Sequence, residues 1–373
     1  MVGRVLIVGG GVAGLSAALA LRRSRAEVDV VELDPRWAVD DIGLIVHANF
    51  IRALAALCIT PDALSLGFSS DGVSFQDFAG NPLSPMPDVQ LEVRPYPPNV
   101  GVSRTALHKL LASSVLAAGA NVRLGVTFSR IVQCDSRVAV TLTDGSVGHY
   151  DLVIGADGVH SSVRSAVFGT HLNPQFTGQY RWRYNVRAPS ECLKSLVRVK
   201  EDGTRYGYLP ITARTGSMML LDNEPLGFDC HPLRLPEMFR SRLADCTGQL
   251  AELREQIVDP DKVLHRPVEV LFMASRWYKG RVLLIGDACH AMSAHMAQGA
   301  VQAVEDGVVL GELAAREMEV PQLLEAFMER RYARCKLIAE TTLLVEKSDQ
   351  HALTVPHVAQ ATKRMLEVAA SPI

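Results

Sequence analysis

The sequence predicts an α/β protein: a Rossmann-like dinucleotide-binding domain, an inserted and mainly antiparallel β-sheet domain, and helices at the C-terminal end. Three observations carry this prediction. The first 32 residues follow the order strand, glycine turn, helix, strand. Residues 173–274 change to short alternating strands, and helical periodicity fills the chain after residue 297. With 373 residues, of which 48% are hydrophobic, the chain can form one large body or two domains that share a core.

Composition and charge exclude several classes of protein. The net charge of −2 gives no basic field that would favour nucleic acid. The sequence contains no uninterrupted run of 18 apolar residues, so no integral membrane segment is predicted. The N-terminus does not resemble a signal peptide. The seven cysteines are scattered, odd in number and without a C-x-x-C pair, which favours reduced thiols in the cytoplasm over disulfides or a metal site.

The N-terminal segment carries the strongest local pattern. Val5–Val8 reads as a strand buried on both faces, Leu15–Arg23 as a helix and Val28–Val31 as the second strand. Between the first strand and the helix lies a G-x-G-x-x-G motif, formed by Gly9, Gly11 and Gly14. Glu32 closes the second strand, 18 positions after the last glycine. In this setting the glycines allow close approach to a pyrophosphate, the helix N-terminus attracts it, and Glu32 accepts hydrogen bonds from a ribose.

The middle of the chain departs from this α/β rhythm. Residues 76–98 are proline-rich and predict a crossing into another domain or a long surface excursion. A helix follows, with Ser103 as N-cap and Gly119 as its stop. Short strands are then predicted at 121–124, 126–133, 137–142 and 147–154. The segment "DLVIGADGVHSSVR", residues 151–164, reads as a strand that ends at Asp157 and leads into a helix.

The inserted region is rich in arginine and carries alternating faces. Strands are predicted at 178–188, 193–200, 205–211 and 216–222, with two short helices at 235–246 and 248–257. On the first strand Arg181 and Arg183 share one face, and aromatic residues occupy the other. On the third strand Tyr208 lies on the face opposite Arg205. Alternation alone leaves open which face of each strand looks inward.

The α/β pattern returns at "GRVLLIGDACH", residues 280–290, and helices are predicted at about 297–316, 320–348 and 355–369. Two further segments complete a set of ordered motifs: "GLIVHANFIRAL" at 43–54, and "VSRTALHKLL", which contains Arg104. In order and spacing, residues 2 to about 345 resemble the class A flavin-dependent aromatic hydroxylases, the para-hydroxybenzoate hydroxylase-like FAD monooxygenases. The resemblance is closest to the short members that act on salicylate, hydroxynicotinate and urate.

The resemblance implies a GR2-type FAD-binding domain that is discontinuous in sequence. Its predicted segments are residues 1–75, 97–172 and 275–345. Residues 76–96 and 173–274 would form a substrate or lid domain, and residues 346–373 a C-terminal helix.

The resemblance also implies an extended FAD with residues assigned along its length. Gly9, Gly11, Ala13 and Gly14 would hold the pyrophosphate, Glu32 the adenosine ribose, Arg104 a phosphate or the ribityl chain, and Asp287 the ribityl hydroxyls. Asp157 resembles an aspartate implicated in flavin and nicotinamide nucleotide binding, while capping of the helix at 160–168 is the alternative. Gln298, Gly299 and Ala300 would begin the helix that faces the flavin ring, where its dipole stabilises the reduced anion by about 0.3–2 kcal/mol.

The implied reaction is that of an FAD- and NAD(P)H-dependent monooxygenase acting on a small, anionic aromatic or heteroaromatic substrate. NADH or NADPH reduces the flavin and leaves, O2 adds to give a C4a-hydroperoxyflavin, and the protein keeps water out. Residues expected near the substrate are His47, His295, Arg183 and Tyr208. Each histidine could orient a phenolic oxygen or relay its proton, and His290 is expected to be structural. The protein is expected to be a monomer or a homodimer.

Three departures weaken inference about the substrate. Ala48, Ala291 and Ala294 stand where the family usually has proline, so the loops lose fixed φ angles and are expected to be less rigid. Epoxidation or N-hydroxylation by the same flavin cycle therefore stays open, as does a non-catalytic FAD-binding protein. A flavin halogenase is disfavoured, because its W-x-W-x-I-P stretch is absent and no lysine lies between residues 37 and 108.

Overall fold

The computed structural model describes residues 2–70, 73–77, 80–81, 93–189, 194–228, 230–350 and 356–373. The elements of the first half are β1 (Arg4–Val8), α1 (Val12–Arg23), β2 (Glu27–Glu32), β3 (Gly43–His47), α2 (Ala48–Ala56), α3 (Thr60–Ser65), β4 (Gly67–Ser70), β5 (Val73–Asp77), β6 (Asn99–Ser103), α4 (Arg104–Ala117), β7 (Asn121–Leu124), β8 (Phe128–Gln133), β9 (Val138–Leu142), β10 (Val147–Tyr150), β11 (Leu152–Gly155) and α5 (Ser162–Phe168). Those of the second half are β12 (Gln175–Arg187), β13 (Ser195–Val199), β14 (Arg205–Pro210), β15 (Thr215–Asn223), α6 (Leu235–Arg242), α7 (Gln249–Arg254), β16 (Leu264–Val270), β17 (Tyr278–Lys279), β18 (Val282–Leu284), α8 (Asp287–His290), α9 (Gly299–Ala314), α10 (Val320–Gln350) and α11 (Pro356–Ala370).

A six-stranded sheet, in the order β17-β18-β11-β1-β2-β7, forms the centre of the first domain. All of its strands run parallel except β17 at the edge, as expected for a Rossmann-like fold. Beside the sheet, α1 packs against α9 at very short range. A Cβ at Gly307 would lie 2.7 Å from the backbone nitrogen of Ala17, so glycine is required where the two helices meet.

The predicted strand at 147–154 is two strands that belong to different sheets. β10 lies in an antiparallel sheet of order β10-β9-β8, and β11 lies in the parallel sheet. The break falls at Asp151, whose Oδ2 accepts hydrogen bonds from the backbone nitrogens of Gly3 (3.0 Å) and Arg4 (2.8 Å). This carboxylate therefore attaches the bend to the start of β1. The contact joins residues almost 150 positions apart, which periodicity cannot reveal.

The inserted region forms a second six-stranded sheet, in the order β16-β12-β15-β14-β13-β5. Its neighbours are antiparallel except for β13 and β5. The predicted antiparallel sheet is thus confirmed, and the predicted domain boundary at residues 75 and 76 falls inside β5. Helices α6 and α7, also predicted, cover one face of the sheet, where Trp182, Tyr206 and Phe239 are fully buried. The central part of the proline-rich excursion, residues 82–92, lies outside the described residues.

A three-stranded sheet, in the order β3-β6-β4, packs against the uncovered face of the inserted sheet. The approach is so close that a Cβ at Gly101 would lie 1.7 Å from the carbonyl oxygen of Pro210. A Cβ at Gly43 would lie within 3 Å of the side chains of Ile211 and Ser217. The two sheets therefore meet through glycine positions that admit no side chain.

A buried ionic network joins α9 to α10. The guanidinium of Arg331, which is fully buried, donates to Asp306 (2.8 Å) and Glu305 (2.7 Å). Arg334 donates to the same Glu305 at 2.8 Å. Burial alone would lower the pKa of Arg331, but Cys335 and the two carboxylates outweigh it and raise the pKa, so the guanidinium stays charged. The network is fully paired, which is the condition under which buried charges are tolerated.

No helix among the described residues is long and apolar enough to cross a membrane.

Arg331→Met is expected to lower the free energy of unfolding by about 3–5 kcal/mol, because it leaves the buried carboxylate of Asp306 without a guanidinium partner and removes one of those that contact Glu305. Denaturant unfolding of the wild type and the variant measures this difference. Lys336→Met, on the exposed side of the same helix, is the control and should change stability by about 0.5 kcal/mol or less. Equal stability of Arg331→Met and the wild type would contradict the structural role of the network.

Candidate active site

The glycine turn after β1 has the geometry of an anion-binding loop. Gly9 has φ +110°, and a Cβ there would lie 2.4 Å from the carbonyl oxygen of Ala156. A Cβ at Gly14 would lie 2.0 Å from the carbonyl oxygen of Gly9. At Gly11, by contrast, a Cβ would meet nothing within 4 Å. Gly11 is also the N-cap of α1 and supplies no side chain, so the first N–H groups of the helix face open space, as a pyrophosphate requires.

Glu32 closes the turn through its carboxylate. Oε2 accepts from the backbone nitrogen of Gly10 at 2.7 Å, and Oε1 accepts from that of Asp34 at 2.8 Å. The carbonyl of Gly10 is held in turn by Trp37 and His108, each at 2.9 Å. Neither Trp37 nor His108 was predicted as a site residue, although His108 lies one helical turn after Arg104 and hence on the same side of α4.

Charged side chains from three elements lie close together where the ribityl chain of FAD is expected. Arg104, at the start of α4, lies 3.3 Å from Asp40, and both side chains are more than one third exposed. Arg181 reaches the same place from the inserted sheet. Burial lowers its pKa, with further contributions from Arg104, which lowers it, and from Asp287, which raises it. The structure thus brings together Arg104, Asp287 and Arg181, three residues that are distant in sequence.

Asp287 is the first residue of α8 and its side chain is exposed. α8 begins directly at the strand end and turns this side chain outward, so the carboxylate is accessible to a ligand. The preceding residue, Gly286, has φ +59°, and a Cβ there would lie 2.8 Å from the Cβ of Ala13. Asp287 and the glycine turn therefore border one space.

Asp306 fixes the backbone of this strand end. Its Oδ2 accepts from the backbone nitrogen of Gly286 at 2.9 Å and lies 2.7 Å from Nε2 of His290. His290 is fully buried, so it is structural as expected, but its partner lies on α9 and not within its own loop. Burial alone would lower the pKa of His290; Asp306 outweighs this and raises it well above its usual value.

His290, Asp306 and Cys335 form the type of cluster that can bind a metal, with ligand atoms within 4.8 Å of one another. The guanidinium of Arg331 lies 2.8 Å from Asp306 and 3.2 Å from the sulfur of Cys335. A cation of the protein itself already contacts these groups, so the cluster belongs to the ionic network.

The N-terminus of α9 lies next to that of α2. The side chain of Gln298 is fully buried, and its Oε1 accepts from Nδ2 of Asn49 at 3.0 Å. Its side chain therefore joins two helices, and only its backbone faces the expected flavin ring. A Cβ at Gly299 would meet nothing within 4 Å, and Ala300 is half-buried. The open space at this helix end is the geometry expected for a flavin ring.

Asp157 caps α5. Its Oδ2 accepts from the backbone nitrogens of Ser162 (2.7 Å) and Val163 (3.0 Å), and its Oδ1 accepts from the hydroxyl of Ser161. Of the two roles considered for Asp157, capping is the one visible in the contacts.

The two candidate histidines have different surroundings. His47 is half-buried, its Nδ1 lies 2.7 Å from Oδ1 of Asn99, and burial lowers its pKa. The ring also hydrogen-bonds the backbone of Met296, in the loop that precedes α9. The ring of His295 is fully buried, and its Nδ1 lies 2.8 Å from Oγ of Ser293. Burial and then Arg205 lower the pKa of His295 well below its usual value, which favours the neutral ring.

The two faces of the inserted sheet are now distinguishable. Tyr208 is fully buried beside Met218 and Trp182, under α6 and α7. The expectation that Tyr208 lies near the substrate is therefore wrong. Arg183 pairs with Met219 and Leu264 across the sheet, and Met219 packs towards β3 on the opposite face. Burial and the neighbouring Arg181 lower the pKa of Arg183 to about 10.

Arg183 has no carboxylate within ion-pair distance in the part of the chain that the structure describes. Its one hydrogen bond goes from its guanidinium to the carbonyl oxygen of Trp182, at 3.2 Å. A half-buried guanidinium in this state favours an anionic ligand.

The three alanines at usual proline positions have backbone roles that the structure makes visible. The nitrogen of Ala48 donates to the carbonyl of Pro98 at 3.1 Å, a bond that proline cannot form. Ala291 has φ −60°, which is the value that proline would impose. Ala294 begins a single 3₁₀ turn ending at Met296. Met292 and Met296 pack on a cluster formed by α10 and α11, so the C-terminal helices cover this loop.

A model of the FAD binding domain family matches residues 3–221 and 234–342. The 2-heptyl-3-hydroxy-4(1H)-quinolone synthase of Pseudomonas aeruginosa is 29% identical over 353 residues, 93% of this chain and 89% of that protein. The 3-hydroxybenzoate 6-hydroxylase 1 of Aquipseudomonas alcaligenes is 28% identical over 358 residues, 88% of this chain and 85% of that protein. The crystal structure of Klebsiella pneumoniae HpxO with FAD and uric acid superposes with a TM-score of 0.83 at 23% identity, covering 99% of this chain and 92% of that one.

The family model spans most of the chain, and Gly286, which precedes Asp287, lies against Ala13 of the glycine turn and Ala303 of α9. The chain belongs to the FAD-binding class A flavoprotein monooxygenases.

Proposed function

We propose that this FAD-dependent monooxygenase hydroxylates a small, anionic aromatic or heteroaromatic ring, with NADH or NADPH as reductant and O2 as co-substrate. The observation that carries the proposal is Arg183, which lies on the sheet face towards β3 without a carboxylate partner in the described chain. An unpaired cation in a partly desolvated place is costly, and an anionic ligand offsets this cost. The relatives support a ring substrate, since their names specify a quinolone and a hydroxybenzoate.

In the proposed site, FAD supplies the electrons and activates the oxygen that is transferred. The protein's part is to bind and orient. The free N–H groups after Gly11 support pyrophosphate binding, with Gly9, Ala13 and Gly14 shaping the turn. Glu32 would contact the adenosine ribose with its remaining lone pairs. Arg104 would contact a phosphate or the ribityl chain.

The N-terminus of α9 would face the flavin ring, with the backbone N–H groups of Gly299 and Ala300 as donors; a Cβ at Gly299 would meet nothing within 4 Å. Two histidines border the substrate side. His47 is hydrogen-bonded through Nδ1 to Asn99, so a neutral ring keeps one nitrogen to contact the loop or a substrate oxygen. The loop covered by α11 would exclude water from the reacting atoms. The protein would be a monomer or a homodimer, and its free cysteines favour the cytoplasm as its location.

Substrate-stimulated oxidation of NAD(P)H by the FAD-loaded protein is the direct test of this function. A ring acid that accelerates NAD(P)H oxidation and gains 16 mass units is the expected result. The same mass gain on an alkene or ring nitrogen would instead favour epoxidation or N-hydroxylation. If no member of a broad panel of aromatic acids and quinolones stimulates oxidation while FAD is bound, the non-catalytic alternative is correct.

Asp287→Ala is expected to weaken FAD binding about tenfold to a hundredfold, the loss that follows when hydrogen bonds to a charged group are removed. Equilibrium dialysis or fluorescence titration of FAD against the apoprotein measures the dissociation constant. Asp135→Ala, an exposed aspartate in the turn between β8 and β9, is the matched control and should leave the affinity unchanged. If Asp287→Ala retains stoichiometric FAD at wild-type affinity, the assignment of the ribityl contact is wrong.

Arg183→Gln is expected to raise the dissociation constant of a ring acid by about ten- to a hundredfold, since a charge-assisted hydrogen bond is lost. Calorimetric titration of the FAD-loaded protein with the best ring acid measures the change. Arg187→Gln, on the exposed end of the same strand, controls for the general loss of a positive charge. Equal weakening in both variants would mean that Arg183 makes no specific contact with the anion.

A further inference from the structure

The C-terminal end of α10 reaches the inserted sheet at one residue of β14. Arg205, whose side chain is 4% exposed, forms an ion pair with Asp349, whose side chain is 14% exposed. Two further contacts fix the place. A Cβ at Gly203 would lie 2.3 Å from the carbonyl oxygen of Asp349, and Nε2 of Gln350 donates to the carbonyl of Thr177 at 3.1 Å. The ion pair is therefore held in position from both β12 and β14.

Arg205 shares a sheet face with Arg181 and Arg183. Arg181 pairs with Leu221, and Leu221 pairs with Arg205 on the next strand. Residues directly opposite one another in a sheet point to the same side, and side chains two residues apart on one strand do so as well. The face towards β3 thus carries the guanidinium groups of Arg181, Arg183 and Arg205, together with that of Arg266, which pairs with Arg181 from β16.

These guanidinium groups differ in how their charge is balanced. Arg205 has Asp349 as a direct partner, whereas no described carboxylate pairs with Arg183. A second carboxylate, Glu346, lies 3.8 Å from Nδ1 of the buried His295, and Nε2 of the same ring lies 3.7 Å from Asp349. Burial and the neighbouring Arg205 lower the pKa of His295, which disfavours a positive charge on this ring. The charge of Arg205 is therefore balanced by a direct carboxylate partner, whereas that of Arg183 is not balanced within the described chain.

We propose that Asp349 is a specificity-determining residue that cancels the charge of Arg205 and restricts the site to ring compounds with a single anionic group. This inference rests on the proposed function, in which Arg183 holds that group. If a ligand carries a second carboxylate at the other end of its ring, that group meets Asp349, which repels it. The guanidinium of Arg205 is already paired and cannot bind it. Asp349 lies on α10, more than 140 residues from Arg205. The sequence of the inserted strands shows the arginines but not this carboxylate, so it suggests more anion-binding positions than the folded protein has.

The test compares a monoanion and a dianion of similar shape, benzoate and isophthalate, by calorimetric titration of the FAD-loaded full chain. The variants are Asp349→Asn, Asp349→Glu and the double variant Asp349→Asn/Arg205→Gln. Asp349→Asn is expected to tighten isophthalate binding by about tenfold or more, because a charge-assisted contact with Arg205 becomes available. Benzoate affinity should change by less than about threefold, since Arg183 is untouched. Asp349→Glu keeps the charge and should resemble the wild type.

Three results would overturn the proposal. These are unchanged isophthalate binding in Asp349→Asn, an equal gain for both ligands, or a gain that persists in the double variant. Glu340→Gln, an exposed charge change on the same helix, is the control. If Asp349→Asn fails to retain FAD, Asp349→Ser supplies the same charge change with a smaller side chain.

Failure of the proposed function has a different signature. In that case no ring acid stimulates NAD(P)H oxidation in the wild type and Arg183→Gln binds benzoate as the wild type does. The comparison of isophthalate binding between Asp349→Asn and the wild type needs no turnover, so it decides the role of Asp349 in either case.

Discussion

The carboxylate of Asp306 is the interaction on which the arrangement of the site depends. It accepts hydrogen bonds from the backbone nitrogen of Gly286, the ring of His290 and the guanidinium of Arg331, so it joins the strand end and α8 to α10. Burial alone would raise the pKa of Asp306, but these partners outweigh it and lower the pKa, so the carboxylate stays ionised in the interior. The strand end that presents Asp287 is therefore fixed by charges beneath it, which leaves the Asp287 side chain free to face a ligand.

A second organising feature is that the two faces of the inserted sheet have different roles. One face is closed by α6 and α7 with aromatic packing, and it supplies stability. The other carries arginines and looks towards the strands that precede α2 and α4, so it supplies charge. Alternate residues of each strand point to opposite faces, so one residue faces the helices and the next faces the expected flavin site. Tyr208 and Gly207 are neighbours in sequence, yet only the latter lies on the arginine face.

Local patterns were enough to predict much of this fold. The G-x-G-x-x-G turn, the strand Val5–Val8 and the Ser103 cap depend on residues within about one element of each other, and the structure has them as expected. The family resemblance added the order of the parts and the FAD assignment.

The predictions that failed concern features that depend on contacts between distant segments. The break at Asp151 follows from bonds to residues 3 and 4, and the direction of the Gln298 side chain follows from Asn49. Sequence alternation is symmetric, so it could not show that Tyr208 faces the helices. Likewise, nothing near Arg205 in the sequence indicates Asp349. Charge balance in this protein is settled between elements, and only the folded chain shows which arginines remain unmatched.

The contact between Gly101 and Pro210 has a mechanical consequence. Backbone meets backbone there, and at Gly43 the backbone meets the side chains of Ile211 and Ser217 directly, so no side chain from these two glycine positions separates the sheets. Close-packed surfaces of this kind resist sliding and hinging, since any rotation drives atoms already at contact distance into one another. The inserted sheet is thus a rigid wall of the site. By contrast, the loop between α8 and α9 packs on α10 and α11 through the side chains of Met292 and Met296.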